Sequence, residues 1–287
     1  MRWQPGGPSQ DLEDRRGESG GRGGYGIGGI HLGLGGLVVV GILSIIFRRN
    51  FFALLSSDSS TPQSASPQGA SSQSPAEQRE VQFVSFVLDD AQNTWSQIFT
   101  QRGQQYPHAR LVLFRDGIRS GCGFADTQVG PFYCPMDQKV YLDLGFFDQL
   151  SSRFGAPGEF AQAYVIAHEI GHHVQRLLGI EQRMHQMQQA NPSMENALSV
   201  RLELQADCLA GVWGHSTAQR NILENGDVEA GLQAASSVGD DTLQRSAGRA
   251  VQPERFTHGS SQQRVAWFRR GLQSGSIEQC DTFGNGM

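Results

Sequence analysis

Two histidines one helical turn apart, with an acid beside the first, restrict this chain more than any other feature. They lie in His168-Glu169-Ile170-Gly171-His172, inside residues 160–178, whose apolar spacing reads as a helix. A separation of four puts both imidazoles on one helix face, where two ring nitrogens can aim at a single ion. Glu169 then stands beside the ion rather than on it, within reach of a water's proton. A half-site of this kind needs a third ligand.

Arg201-Leu202-Glu203-Leu204-Gln205-Ala206-Asp207-Cys208 supplies a candidate, on a second helical pattern striped by Leu198, Leu202, Ala206, Leu209 and Trp213. Glu203 and Asp207 again share one face. Two histidines and a carboxylate form a catalytic zinc set that keeps a position open for water. His168, His172 and Glu203 are therefore the expected zinc ligands and Glu169 the expected base. Asp207 is placed to accept the other ring N–H of a ligand histidine. A three-histidine set would need Gly and His where the chain has Gln175 and Leu178. The bland alternative is a metal-free amphipathic helix and a solvated acidic face, which leaves the two motifs unrelated.

The 287 residues, 38% hydrophobic, hold one sizeable core rather than two large domains. With a net charge of -5 and scattered positives, nothing suggests a nucleic-acid surface. Lys139 is the only lysine. Residues 1–26 mix Gly, Arg and acids without apolar period and read as a disordered tail. Residues 27–47 carry no formal charge and are long enough, at about 20 residues, to cross a bilayer as one transmembrane helix. Arg48 and Arg49 follow instead of a small-residue cleavage site, so an uncleaved single-pass anchor is expected. Residues 48–79, rich in Ser, Gln and Pro, read as a flexible linker. A soluble domain is expected over residues 80–287.

That domain reads as α+β and mainly helical, with a small antiparallel sheet. Val84, Val87, Ala91, Trp95 and Ile98 mark a first helix, and Leu111 to Phe114 a short strand. Further strands follow around Cys122, Cys134 and Val140. Cys122, Cys134, Cys208 and Cys280 all follow the anchor, and four cysteines permit three pairings. Cys122 with Cys134 would staple a hairpin, leaving Cys208 with Cys280. An even count on one side of a span fits an oxidising compartment. Residues 182–194 read as a lid or a connector. Gly239-Asp240-Asp241 reads as a helix N-cap. In Phe256-Thr257-His258-Gly259-Ser260-Ser261 a serine caps a last helix, and His258 could donate to the oxyanion formed when water attacks a carbonyl.

Taken together, these motifs resemble the bacterial neutral zinc metallopeptidases, the YpfJ-like membrane proteins. Met1-Arg2-Trp3-Gln4, Glu13-Asp14-Arg15-Arg16, Gly130-Pro131-Phe132-Tyr133-Cys134-Pro135, the two ligand motifs, Phe256-Thr257-His258-Gly259-Ser260 and Cys280-Asp281-Thr282-Phe283 carry the resemblance. The resemblance implies zinc on His168, His172 and Glu203, Glu169 as base, and a single-pass protein with its catalytic domain outside the cytoplasm of a bacterial inner membrane. Glu203-x-x-x-Asp207 and Thr257-His258 also look like elements of gluzincin-type membrane proteases, which implies a carbonyl-polarising role for His258. The expectation is a membrane-anchored zinc peptidase acting on peptide or protein substrates. The competitors are a zinc amidase or deacylase on cell-wall or other small amides, and a silent zinc-stabilised binding module. Glu169 counts against the last.

Overall fold

The computed structural model describes residues 1–18, 74–126 and 129–284, an α+β fold in which helices dominate. In chain order the elements are β1 (Leu12–Asp14), α1 (Pro75–Gln101), β2 (Arg110–Phe114), β3 (Gly117–Ser120), β4 (Gly123–Asp126), β5 (Phe132–Cys134) and β6 (Lys139–Asp143). Seven helices follow among the described residues: α2 (Gly145–Ser152), α3 (Glu159–Leu177), α4 (Ile180–Ala190), α5 (Glu195–Gln219), α6 (Asp227–Ser237), α7 (Asp240–Ser246) and α8 (Ser261–Ser274).

The helix α1 begins inside the stretch expected to be linker. Ser74 caps it by accepting the Glu77 N–H, and Pro75 opens it where a missing N–H costs nothing. Its expected stripe holds: Val84, Val87, Ala91 and Trp95 are fully buried.

The sheet differs from the antiparallel one expected. Its order is β1-β2-β6-β5; β1 and β6 both run parallel to β2, and only β5 is antiparallel, to β6. The reason lies in Leu111-Val112-Leu113-Phe114, an unbroken apolar run suited to a strand covered on both faces. Leu111 and Leu113 enter the helical core, while Val112 and Phe114 pack with Ile118, Ala125 and Tyr141 under the antiparallel β3–β4 hairpin. The disulfide Cys122–Cys134 ties that hairpin's turn to β5, and Cys208–Cys280 ties α5 to the C-terminal turn.

Residues 1–18, expected to begin a disordered tail, are a strap built into the domain. The strand β1 extends the sheet, and the Trp3 ring packs at 5.3 Å from Phe83 and 6.0 Å from Phe86. The charges that made the stretch look disordered are committed. Both Glu13 oxygens take the Lys139 ammonium at 2.9 Å, and buried Arg16 bridges Asp14 to Glu77. The α-amino group lies among Glu159, Glu224 and Asp227. The expected anchor, residues 27–47, lies outside the described residues, and no described helix is long and apolar enough to cross a membrane.

Helix packing then sets the stage for the site. Against α3, a Cβ at Gly171 would lie 3.0 Å from the Ala206 carbonyl of α5. At the α5–α8 contact, a Cβ on Gly271 would fall 1.9 Å from the Cys208 carbonyl. Only glycine lets these helices approach so closely.

Candidate metal centre

The close approach at Gly171 brings the two motifs face to face. His168 Nε2 lies 3.2 Å from Glu203 Oε2, and His172 Nε2 lies 3.5 Å from Glu203 Oε1. One ligand atom from each residue lies within 4.8 Å of the others. With metal–ligand bonds of about 2.0–2.1 Å, adjacent corners of a tetrahedral zinc site are about 3.3 Å apart. Two imidazoles and a carboxylate within this reach of one another make a donor set whose chemistry suits zinc, and small side-chain rotations would bring the wider pairs to that spacing. Glu169, next along α3, is buried, at 8% exposure.

Each histidine's far nitrogen is already engaged. His168 Nδ1 donates to Asp207 Oδ1 at 2.9 Å, and His172 Nδ1 donates to Gln175 Oε1 at 2.9 Å. Both Nε2 atoms are left to the metal, which is how an outer partner fixes a ligand's tautomer. Asp207 is completely buried and cannot remain charged there without compensation. Arg264 of α8 grips it bidentately, Nε to Oδ2 at 2.8 Å and Nη2 to Oδ1 at 2.9 Å, and the Tyr164 hydroxyl donates to Oδ1 as well. Burial pushes the Asp207 carboxyl up, but Arg264 and His168 outweigh it and hold it below the usual range. Burial likewise opposes charge on Glu203. His172, His258 and His168 overcome it and keep that carboxylate well below its ordinary value.

His258 enters from the loop before α8. Its side chain is 35% exposed, and burial lowers its pKa less than Glu203 and Asp240 raise it. The loop is shaped by Asp240, which does not cap α7 as expected. One of its oxygens, Oδ2, accepts the N–H groups of Thr257, His258 and Gly259 at 2.7, 2.7 and 3.0 Å, and Oδ1 faces His258 Nδ1 at 3.4 Å. Three converging donors outcompete the helix end, and α7 has Gly239 as its N-cap residue, with no side-chain cap. Ser260 does cap α8, in a reciprocal box with Gln263. Residues 182–194 are mostly the helix α4, a connector between α3 and α5.

His168, His172, Glu203 and Asp207 are thus brought together by direct contacts, the His258 charge is felt at Glu203, and Glu169 stands next to His168 along α3. Tyr164, Gln175, Asp240 and Arg264 were not foreseen as parts of the site. Gln175, three residues after His172 and so on the same face, was the one carrying a usable signal.

Two histidines and a glutamate on two packed helices make a cluster able to hold a metal ion, with a donor set suited to zinc. The chain belongs to the family described as "Putative neutral zinc metallopeptidase", whose model matches residues 1–283. It is 47% identical over 291 residues to the uncharacterized protein YpfJ of Escherichia coli K12, with both chains covered completely. It is also 44% identical over 192 residues to the uncharacterized protein Rv2575 of Mycobacterium tuberculosis H37Rv, covering 63% of this chain and 64% of that one. The same figures hold for the uncharacterized protein Mb2605 of Mycobacterium bovis. No solved structure matches.

Proposed function

We propose that this chain is a zinc-dependent peptidase of the gluzincin type, hydrolysing peptide or protein substrates beside a membrane. The observation that carries the reading is the convergence of His168, His172 and Glu203, one ligand atom of each within 4.8 Å of the others, with both far ring nitrogens already bonded elsewhere. Bound there, zinc supplies Lewis-acid polarisation to the attacking water and the scissile carbonyl. Glu169 accepts the water's proton and passes it to the leaving amine. His258 Nδ1 is occupied by Thr257 Oγ1 at 3.0 Å and faces Asp240, so the imidazolium form, which Glu203 and Asp240 favour, is the one that offers an Nε2–H to the developing oxyanion. The strand β5 is one edge of the four-stranded sheet and is joined to α3 through Tyr133 and His173, 3.0 Å apart. A free edge there suits an extended peptide, which pairs by backbone hydrogen bonds. The apolar run at residues 27–47 supports membrane attachment, and the two disulfides support a domain outside the cytoplasm.

The test is zinc content and hydrolysis of an unfolded protein by the full chain and by Glu169→Gln. The variant should retain about one zinc per chain and lose at least about a hundredfold in rate, the usual scale for a general base. Full hydrolysis by the variant, or no zinc in the parent, overturns the reading.

A further inference from the structure

Gln175 and Gln205 are buried at 1% and 0% exposure, although neither touches substrate or metal in the reading above. Buried amides are costly unless every donor and acceptor is paired, so their hydrogen bonds carry information. The Cys280 and Leu202 carbonyls can only accept. Gln205 must therefore turn its Nε2 toward the Cys280 oxygen, 3.0 Å away, which leaves its Oε1 facing Gln175. Gln175 then presents Nε2 to Gln205 Oε1 at 3.0 Å and to the Leu202 carbonyl at 2.7 Å. Only its Oε1 remains for His172 Nδ1, 2.9 Å away. That ring nitrogen has to carry the proton, and Nε2 has to hold its lone pair toward Glu203.

The direction of every bond is thus set from the far end. That end is itself fastened: Cys280 is bonded to Cys208 of α5, and Thr282 Oγ1 donates to the Arg201 carbonyl at 2.7 Å. His168 is oriented by a charged Asp–Arg pair, whereas His172 depends on this neutral relay.

We propose that Gln175 and Gln205 are positioning residues for His172, forming a one-way relay anchored by the Cys208–Cys280 disulfide, so that metal affinity is coupled to the redox state of that cysteine pair. The inference rests on the metal reading above. Two-electron reduction by an external dithiol, which is itself oxidised to its disulfide, breaks the Cys208–Cys280 bond to two thiols and frees the C-terminal turn to move from α5, taking the Cys280 carbonyl with it. Gln205 can then rotate, and His172 loses its imposed tautomer.

The experiment measures zinc affinity by competition with a chromophoric chelator, and the visible spectrum of the cobalt-substituted protein. It compares the full chain with Gln205→Leu, the paired variant Cys208→Ser with Cys280→Ser, and the paired variant Cys122→Ser with Cys134→Ser. The first two should bind zinc about 10- to 100-fold more weakly, the usual effect of losing an outer partner, and should alter the cobalt bands. The Cys122/Cys134 pair removes a disulfide that lies outside the relay, so both readouts should match the parent. If Gln205→Leu does not fold, the Cys208/Cys280 pair carries the test alone. Parent-like affinity in the relay variants overturns the relay while leaving the metal centre standing. Failure of the parent to bind zinc overturns the metal centre itself.

Discussion

His168 and His172 differ in what stands behind them, and the difference has a measurable sign. In the metal-free protein, burial lowers the His168 pKa, but Asp207 and Glu203 more than compensate and bring it up to about 9 from 6.5. A raised folded pKa means that this group stabilises the metal-free protein fully below about pH 6.5, and that the contribution fades as pH rises toward 9. Zinc affinity should move the opposite way. At pH 7 the metal has to displace the His168 proton, so affinity should climb by about tenfold per pH unit until about pH 9 and then level off. Calorimetry at pH 7 in buffers of different ionisation enthalpy should detect about one proton released per zinc; no release contradicts the electrostatics described here. For His258→Gln, zinc content should be unchanged and kcat should fall by about 10²–10³, the cost of removing one oxyanion donor. Much of this site was legible in the sequence. His168, His172, Glu203 and Asp207 follow from helical spacing and from what zinc requires. Asp240 and Arg264 do not, because their roles depend on loop and helix packing that no local pattern encodes. An aspartate at a helix start reads as a cap until three backbone N–H groups from another loop are seen to converge on it.

Between the histidines, Gly171 looks like a helix-weakening choice, and its reason lies on the neighbouring helix. Alanine there would press its Cβ to 3.0 Å from the Ala206 carbonyl, so α3 and α5 would have to part by a few tenths of an ångström. Gly171→Ala should therefore weaken zinc binding more than it lowers global stability, checked by chelator competition beside urea unfolding. Gly271→Ala, at the tighter α5–α8 contact, should destabilise the fold by about 1–3 kcal/mol or more, the scale of an overpacked core. Equal behaviour of the two variants would contradict this division between site and scaffold. The long helices were readable because their apolar residues recur with helical period: Val84, Val87, Ala91 and Trp95 are all buried. Strand direction was not. A four-residue apolar run has no period to separate a parallel strand from an antiparallel one, and β1 arrives from a distant part of the chain.

The strap of residues 1–18 bears on how the folded body is closed. Its Arg16 lies 2.7 Å from Glu77, although residues 19–73 intervene in the sequence, and its β1 is hydrogen-bonded to β2. The two described ends that border residues 19–73 therefore meet at one seam. With a specific protease site inserted into residues 19–73, the cut strap should stay bound to the rest through gel filtration, and its release would mean that strand pairing and ion pairs alone do not hold the seam. If it holds, the polypeptide leaves this body and returns to it at the same spot, so whatever the intervening stretch carries is tethered at both ends beside β1 and the start of α1.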